Sequence, residues 1–299
     1  MKKIIYIFLC ITTLLTSCEE VIDLSLDTQE KQLVVDAYID WKKGNEKAFP
    51  IVHLSYTTNY YDQSPSEKVS GAVIKVSTSD GEIYPLREIL PEDYKDLYTK
   101  DKDLVGIAFV PSKGGSIYAN PDGIIPSIGK EYILTIEYKG KTYIAKEKMR
   151  EVPVINPDNV TQKADGGLFK DKIEVKFPFD GIPNEENNYF IKLKDHKKDV
   201  FISLNDELLS DRKFFFTTSL MELILKKGYR VRATLFRVSP QYQQFVNILI
   251  SNTTNSRREG GFTIPSRVYG NVVNTENPKE NPLGAFRVSQ YSEISYEVK

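Results

Sequence analysis

The sequence predicts a mainly β protein, built as two antiparallel β-sandwich-like domains, the second carrying one amphipathic helix. Three observations predict it. The chain is rich in strand formers, with 18 Tyr and 15 Phe among 299 residues, and aromatic and β-branched side chains suit a pleated, half-buried surface. Apolar residues recur with period two over short stretches. Turn residues punctuate those stretches at hairpin spacing. The formal charge is −1 at pH 7, with both signs interspersed as on a solvated surface. The basic patch that a nucleic-acid partner would want is missing, so no nucleic-acid partner is expected.

The first twenty residues follow a different pattern. Lys2 and Lys3 precede an apolar stretch, Ile4 to Leu15, broken only by Cys10, Thr12 and Thr13. This fits the apolar region of a signal peptide, about 7–15 residues, and falls short of the roughly 20 needed to span a bilayer. The competing reading is a buried N-terminal helix or an anchor helix. Leu15-Thr16-Ser17-Cys18 resembles a lipobox, which implies a diacylglycerol on the Cys18 thiol, cleavage just before it, and acylation of the new amine. Residues 1–17 are therefore read as a signal peptide, 18–30 as a lipidated linker, and Cys18 as the lipidation site. Each buried methylene contributes about 0.8 kcal/mol, so one chain holds marginally and two or three hold firmly. The first expected partner is thus a membrane, occupied without being crossed. Glu19 and Glu20 read either as the start of a solvated linker or as a sorting signal. They resemble the surface-export signals of Bacteroidetes lipoproteins, which implies an outer-membrane protein facing the exterior.

With Cys10 removed and Cys18 modified, the mature chain has no cysteine left for a disulfide. Such a fold must rely on its apolar core, and the chain is long enough to build one. Its length suits two domains: an N-terminal immunoglobulin-like β-sandwich over 31–152 and a β-rich domain over 153–299.

Along the first of these, Gln32 to Ile39 reads as a Val-rich strand. Ile51 to Thr57 places Val52, Leu54 and Tyr56 on one face with His53 and Ser55 on the other. Val69 to Thr78 places Ala72, Ile74 and Val76 together. Ser79-Asp80-Gly81 then turns the chain into Ile83-Tyr84-Pro85-Leu86, a hairpin built on Asp-Gly. Pro91 to Lys102 is charged and reads as a short helix or a surface loop. Gly106 to Tyr118 reads as two short strands about Pro111 and Gly114-Gly115. Glu131 to Tyr138 alternates cleanly, Lys139-Gly140-Lys141 turns, and Thr142 to Met149 returns.

Val152-Pro153-Val154-Ile155-Asn156-Pro157 is the best boundary, because two prolines disfavour regular structure there. Beyond it, Lys172 to Phe179, Tyr189 to Lys194, Val200 to Leu204, Arg212 to Thr218 and Tyr229 to Val238 read as strands. Phe214-Phe215-Phe216 puts Phe215 opposite its neighbours. It reads first as a strand buried on both faces, and second as a partner surface. Ser239 can cap a helix with Pro240 in its first turn. Tyr242, Phe245, Val246, Leu249 and Ile250 recur at helical spacing over 240–251. Gly284 to Val298 closes the chain as one or two strands.

The order of these pieces resembles the family known as domain of unknown function 4249, a Bacteroidetes outer-membrane lipoprotein family. The resemblance runs through Val21-Ile22-Asp23-Leu24, Leu33-Val34-Val35-Asp36-Ala37-Tyr38-Ile39, Leu54-Ser55-Tyr56-Thr57 and Val69-Ser70-Gly71-Ala72. It continues through the Glu131 to Met149 hairpin into Val152-Pro153, and ends at Pro282-Leu283-Gly284-Ala285-Phe286. Ala37 stands where a glycine is common in the family. Such proteins are often encoded beside TonB-dependent receptors. The resemblance implies a non-enzymatic accessory or ligand-capture role beside a receptor barrel and supplies no catalytic residue. An independent surface adhesin that binds glycan or protein is the alternative.

The chemistry-bearing residues are few. His53 and His196 fall one in each expected domain and read as core or surface residues, since a general base also needs an orienting partner and a cleft. No Gly-x-Ser-x-Gly elbow, His-Glu-x-x-His or phosphate-binding Gly-x-x-x-x-Gly-Lys-Ser/Thr occurs. Gly114-Gly115 and Gly166-Gly167 read as turns rather than anion sites. Asp101-Lys102-Asp103 lacks the further ligands of a calcium loop. Glu185-Glu186 could serve a glycosidase, but adjacent acids in a Pro- and Asn-rich loop are usually solvated. No cofactor, metal or enzymatic activity is expected. The aromatics Trp41, Tyr60, Tyr61, Tyr94 and Tyr98 stand beside polar, loop-like residues. They read either as caps on the sandwich ends or as binding aromatics, because exposed rings anchor interfaces and stack on sugars.

Overall fold

The computed structural model describes residues 31–58, 64–90, 114–167, 172–196, 198–207, 211–219, 223–258 and 267–299, and Lys31–Lys299 form one compact unit. The fold is mainly β. Cys18, Tyr60, Tyr61, Tyr94, Tyr98 and the charged segment from Pro91 lie outside the described residues. The first half comprises β1 (Leu33–Lys42), β2 (Phe49–Tyr56), β3 (Val73–Thr78), β4 (Ile83–Ile89), β5 (Ser116–Ala119), β6 (Glu131–Tyr138) and β7 (Lys141–Lys148). After the linker come β8 (Thr161–Gly166), β9 (Lys172–Asp180), β10 (Asn188–Lys194), β11 (Asp199–Asn205), β12 (Lys213–Thr217) and β13 (Arg230–Arg237). The helix α1 (Pro240–Arg258), the short β14 (Val273–Asn274) and the long β15 (Leu283–Glu297) complete the order.

Twelve strands form one sheet in the order β11-β10-β13-β15-β1-β2-β5-β4-β3-β6-β7-β14, and β12-β9-β8 form a second. The large sheet folds over on itself at β4. Residues Ile83 to Leu86 of that strand pair with β3, and Arg87 to Ile89 pair with β5. Inward side chains from β1, β2 and β5 therefore share one core with those from β3, β6 and β7: Val35, Ile39, Leu54 and Tyr118 pack with Ile74, Val76, Leu134 and Ile136. The alternation that predicts these strands is the alternation of burial, since Tyr132, Leu134 and Ile136 are buried and Glu131 and Glu137 exposed. Each such side chain contributes about 1.5–3 kcal/mol when fully buried. The Tyr138–Lys141 hairpin turns through Lys139 and Gly140, whose φ values of 48° and 72° are the two left-handed positions of a type I′ turn.

The second half is a sandwich of β11-β10-β13-β15 against β12-β9-β8. Its core holds Val175, Phe177 and Phe179 of β9, Phe214 and Phe216 of β12, and Ile191, Leu193, Val231 and Leu235 of the facing layer. Phe214 lies opposite Phe179 and Phe216 opposite Phe177, and both pairs stack at 5.2 and 5.1 Å between centroids. Phe215 corrects the first reading of the aromatic run. It is 51% exposed, because β12 belongs to a three-stranded sheet covered on one face only, and the Lys176 ammonium sits 4.0 Å from its ring centre.

Among the named strands, the pairing is antiparallel as expected except at one junction. β15 is 15 residues long and serves both halves. Leu283 to Tyr291 runs parallel to β1, and Tyr291 to Glu297 runs antiparallel to β13. Phe286 and Val288 enter the first core and Ile294 the second. Between them, Gln290 and Ser292 are buried and polar, and they receive the linker. Gln290 Oε1 accepts from the Val152 amide at 3.1 Å and the Ser292 hydroxyl donates to the Pro153 carbonyl at 2.7 Å. The proline-rich linker thus crosses the strand with the Val152 amide and the Pro153 carbonyl paired, as buried backbone groups must be.

Helix α1 lies over the other face of β10, β11 and β15. Tyr242 and Val246 pack there with Phe190, Phe236, Ala285 and Tyr291. The helix runs to Arg258, past the expected end near Ser251. Ser239 caps it, accepting from the Tyr242 amide at 3.1 Å while donating to Glu147 Oε1 at 2.6 Å. Asn271 Nδ2 donates to the same oxygen at 2.7 Å. Burial raises the Glu147 pKa, against the pull of Ser239, Arg150 and Asn271. One hydroxyl therefore serves the helix start and a buried carboxyl of β7. Ser239→Ala is expected to cost about 2 kcal/mol, the upper end of the range for a lost cap, read as a shift in the urea midpoint.

Candidate functional site

The densest set of buried charge lies on the helix-facing side of β1 and β15. Asp36, Tyr38 and Asp40 alternate along β1 with Val35, Ala37 and Ile39, so the core claims one parity and the polar residues take the other. The parallel register sets Arg287 beside Tyr38, and Asp36 beside Ala285. His53 of β2 stands across from Asp36.

Arg287 is the centre of the group. Its Nε and Nη2 donate to the two oxygens of Asp40 at 2.9 and 2.6 Å, and Nη1 donates to the Tyr242 hydroxyl at 2.6 Å. A two-pronged guanidinium–carboxylate contact of this kind is both strong and directional. The guanidinium also lies 5.0 Å from the Phe236 ring centre, 5.3 Å from Tyr242 and 5.4 Å from Tyr38, within cation–π range. Burial works against its charge, yet Asp40, Tyr242 and Asp36 outweigh that and raise its pKa. Burial likewise pushes the Tyr242 hydroxyl up to about 12.

Among the described residues, the Asp36 carboxylate has no two-pronged partner of this kind. Burial raises its pKa from the usual carboxylate value to about 6; Arg287 and His53 pull it down and Asp40 pushes it up. Below about pH 4 the folded and unfolded states both hold the proton, and the contribution is at its maximum. Between about pH 4 and 6 the unfolded chain releases its proton first, so stability falls as pH rises. Across that window the loss approaches about 3 kcal/mol, at 1.36 kcal/mol per pKa unit. Asp36→Asn is expected to flatten this dependence and to raise stability at pH 8 by about 1–2 kcal/mol, measured by urea denaturation at a series of pH values.

A second polar cluster grips the linker. Arg237, fully buried, donates from Nη1 to the Glu151 carbonyl at 3.0 Å and from Nη2 to Glu185 Oε2 at 3.0 Å and the Glu186 carbonyl at 2.9 Å. Glu185 and Glu186 are thus the acceptors that hold an arginine of β13. Lys43 Nζ donates to the Val152 carbonyl at 3.0 Å. Both clusters hold elements distant in sequence in fixed relation.

Trp41 is half-buried, packs against the first core and donates its indole N–H to the Asn45 carbonyl at 2.8 Å. His53 Nε2 lies 3.0 Å from the Gly114 carbonyl, and the His196 ring rests 4.2 Å from that of Tyr229. The structure does not bring the two histidines into one cluster with an acid. Among the described residues, no group of three or more His, Cys, Asp or Glu side chains could hold a metal ion, and no helix is long and apolar enough to cross a membrane. The Asp40–Arg287 pair carried no local signal beyond an arginine between Phe286 and Val288, since its partner lies 247 positions away.

These features define a β-sandwich protein whose two cores share one C-terminal strand and whose charged residues brace that strand. The chain belongs to the family described as domain of unknown function (DUF4249), whose profile matches residues 19–295. No curated protein matches it. Among solved structures it is similar to a two-domain fibronectin type-III segment of chicken tenascin, at 8% identity over 70% of this chain and 91% of that one, with a TM-score of 0.21. The FN1–FN3 domains of chicken CNTN1 give 9% identity over 68% and 59%, with a TM-score of 0.24. A DUF4785 family protein from Legionella pneumophila gives 8% identity over 69% and 52%, with a TM-score of 0.22. Likenesses this weak carry no argument about function.

Proposed function

We propose that the protein is an outer-membrane lipoprotein, anchored through Cys18 and facing the exterior, that acts as a non-enzymatic accessory or ligand-capture partner of a TonB-dependent receptor. The observation that carries this reading is Leu15-Thr16-Ser17-Cys18, placed directly after a short apolar run and a basic start. The commitment of the buried charges to one another supports it: Arg287 to Asp40 and Tyr242, Arg237 to Glu185 and the linker. Groups held this way brace a binding scaffold.

The test is extraction of the full lipoprotein from its native membrane in mild detergent, followed by mass spectrometry of what accompanies it. A receptor barrel in stoichiometric amount is the expected result. A lone lipoprotein would overturn the accessory role and favour an independent adhesin. Incorporation of labelled palmitate, lost in Cys18→Ser, is expected to report the anchor separately.

A further inference from the structure

We infer that the end of the fold from which β1 starts is a membrane-contact surface, with Tyr56, Tyr138, Lys139 and Tyr269 resting on the phosphate-bearing headgroups of the bilayer; this rests on the anchor at Cys18. Three observations converge. First, only residues 19–30 lie between Cys18 and Lys31, the first residue described. Twelve residues reach at most about 43 Å even when fully extended. A domain of this size is about 45 Å or more across, judged from its expected radius of gyration. The end nearest Lys31 is therefore the end held at the bilayer.

Second, the groups gathered at that end are those that favour the water–lipid boundary. Tyr56 pairs with Leu33 at the start of β1. The Lys139 ammonium donates to the Tyr56 hydroxyl at 3.1 Å and lies 5.3 Å from the ring centres of both Tyr56 and Tyr138. The Gln32 side chain reaches toward the Tyr269 hydroxyl, 3.5 Å away, and Tyr269 is 40% exposed. Tyrosine rings offer an apolar body with a polar tip, and lysine can lay its stem on apolar surface while its charge stays wet. Such side chains are enriched at membrane interfaces.

Third, charge complementarity selects the occupant. Lys31 pairs with Glu67 and Lys141 with Glu280 at this end. Lys139, at the tip of the β6–β7 turn, has no carboxylate partner among the described residues and rests on tyrosines alone. An exposed cation on an aromatic pair suits an anionic phosphate layer, which attracts basic residues near its surface.

The mature chain has no free thiol once Cys18 is lipidated, so a single introduced cysteine can be labelled selectively. Glu137→Cys places a fluorophore beside the turn and Glu46→Cys places one in the turn after β1, at the other end of that strand. The full lipoprotein is reconstituted into phosphatidylethanolamine–phosphatidylglycerol vesicles that carry a headgroup-level nitroxide lipid. Expected are co-flotation with the vesicles, at least threefold stronger quenching at 137 than at 46, and at least a halving of the signal at 137 when Lys139→Glu is added. Equal quenching at both positions in protein that floats would overturn the contact surface and leave the anchor standing. Quenching at 137 indifferent to Lys139→Glu would overturn the role of these side chains. Failure to float would overturn the anchor, and the inference with it.

Discussion

Arg287→Met is expected to destabilise the fold by about 3–5 kcal/mol, the cost of leaving one member of a buried ion pair without its partner. The side chains of Arg287 and Asp40 are 2% and 6% exposed, so water cannot take over the carboxylate's lost bonds. Tyr242 loses its donor in the same step. An exposed pair on the same sheet gives the contrast. Arg230 and Glu297 are 70% and 66% exposed at 3.5 Å, and Arg230→Ala should cost less than about 1 kcal/mol. The pairing itself is tested by a double change. Arg287→Met with Asp40→Leu removes both charges together and should recover most of the loss, since an apolar pair of similar volume is often as stable as a buried ion pair. Urea denaturation reads all three variants through Trp41, the only tryptophan of the chain and the next residue to Asp40. If Arg287→Met cost no more than Arg230→Ala, the pair would not be the brace described.

Gly284→Ala is expected to cost more than about 3 kcal/mol. Gly284 has φ +95°, and a Cβ there would overlap the Val35 carbonyl oxygen. The position lies one residue into the pairing of β15 with β1, with Gly284 opposite Val35. Two costs therefore add. A side chain in the left-handed region costs roughly 1–2 kcal/mol by itself, and the clash is with backbone, which cannot rotate away. Gly81→Ala separates the two. Gly81 has φ +92° and nothing within 4 Å of its would-be Cβ, so only the conformational cost applies. Hydrogen exchange locates the damage. Amides of β1 and β15 should lose protection in Gly284→Ala, whereas the β3–β4 hairpin alone should respond in Gly81→Ala. Equal costs for the two substitutions would mean that β1 and β15 do not approach as described.

Much of the fold was legible because strand pattern and turn chemistry are local. Leu134 and Ile136 point inward because they alternate with polar residues, and Lys139-Gly140 turns because Gly140 accepts a positive φ; neither needs a distant partner. Ser239 and Pro240 marked the helix start in the same way. The helix end was less clear, because Asn252 to Arg258 carries no apolar stripe and no stop signal. Phe215 departs from two-sided burial because periodicity reports that Phe214 and Phe216 share a face and is silent on whether a second layer covers the other. Arg287 is not legible as a paired residue, because a lone arginine among apolar neighbours does not disclose its acid.

The amino-acid sequence by itself determined most of the strands, their turns and the capped start of the helix, each written within a few residues. Only the tertiary structure decided that the last strand runs parallel to the first, that Gln290 and Ser292 receive the linker, and that Arg287 meets Asp40. Those pairings join residues more than a hundred positions apart. Many alternative registers satisfy the same alternation, and only simultaneous packing of both cores with the pairing of Arg287 and Asp40 selects one.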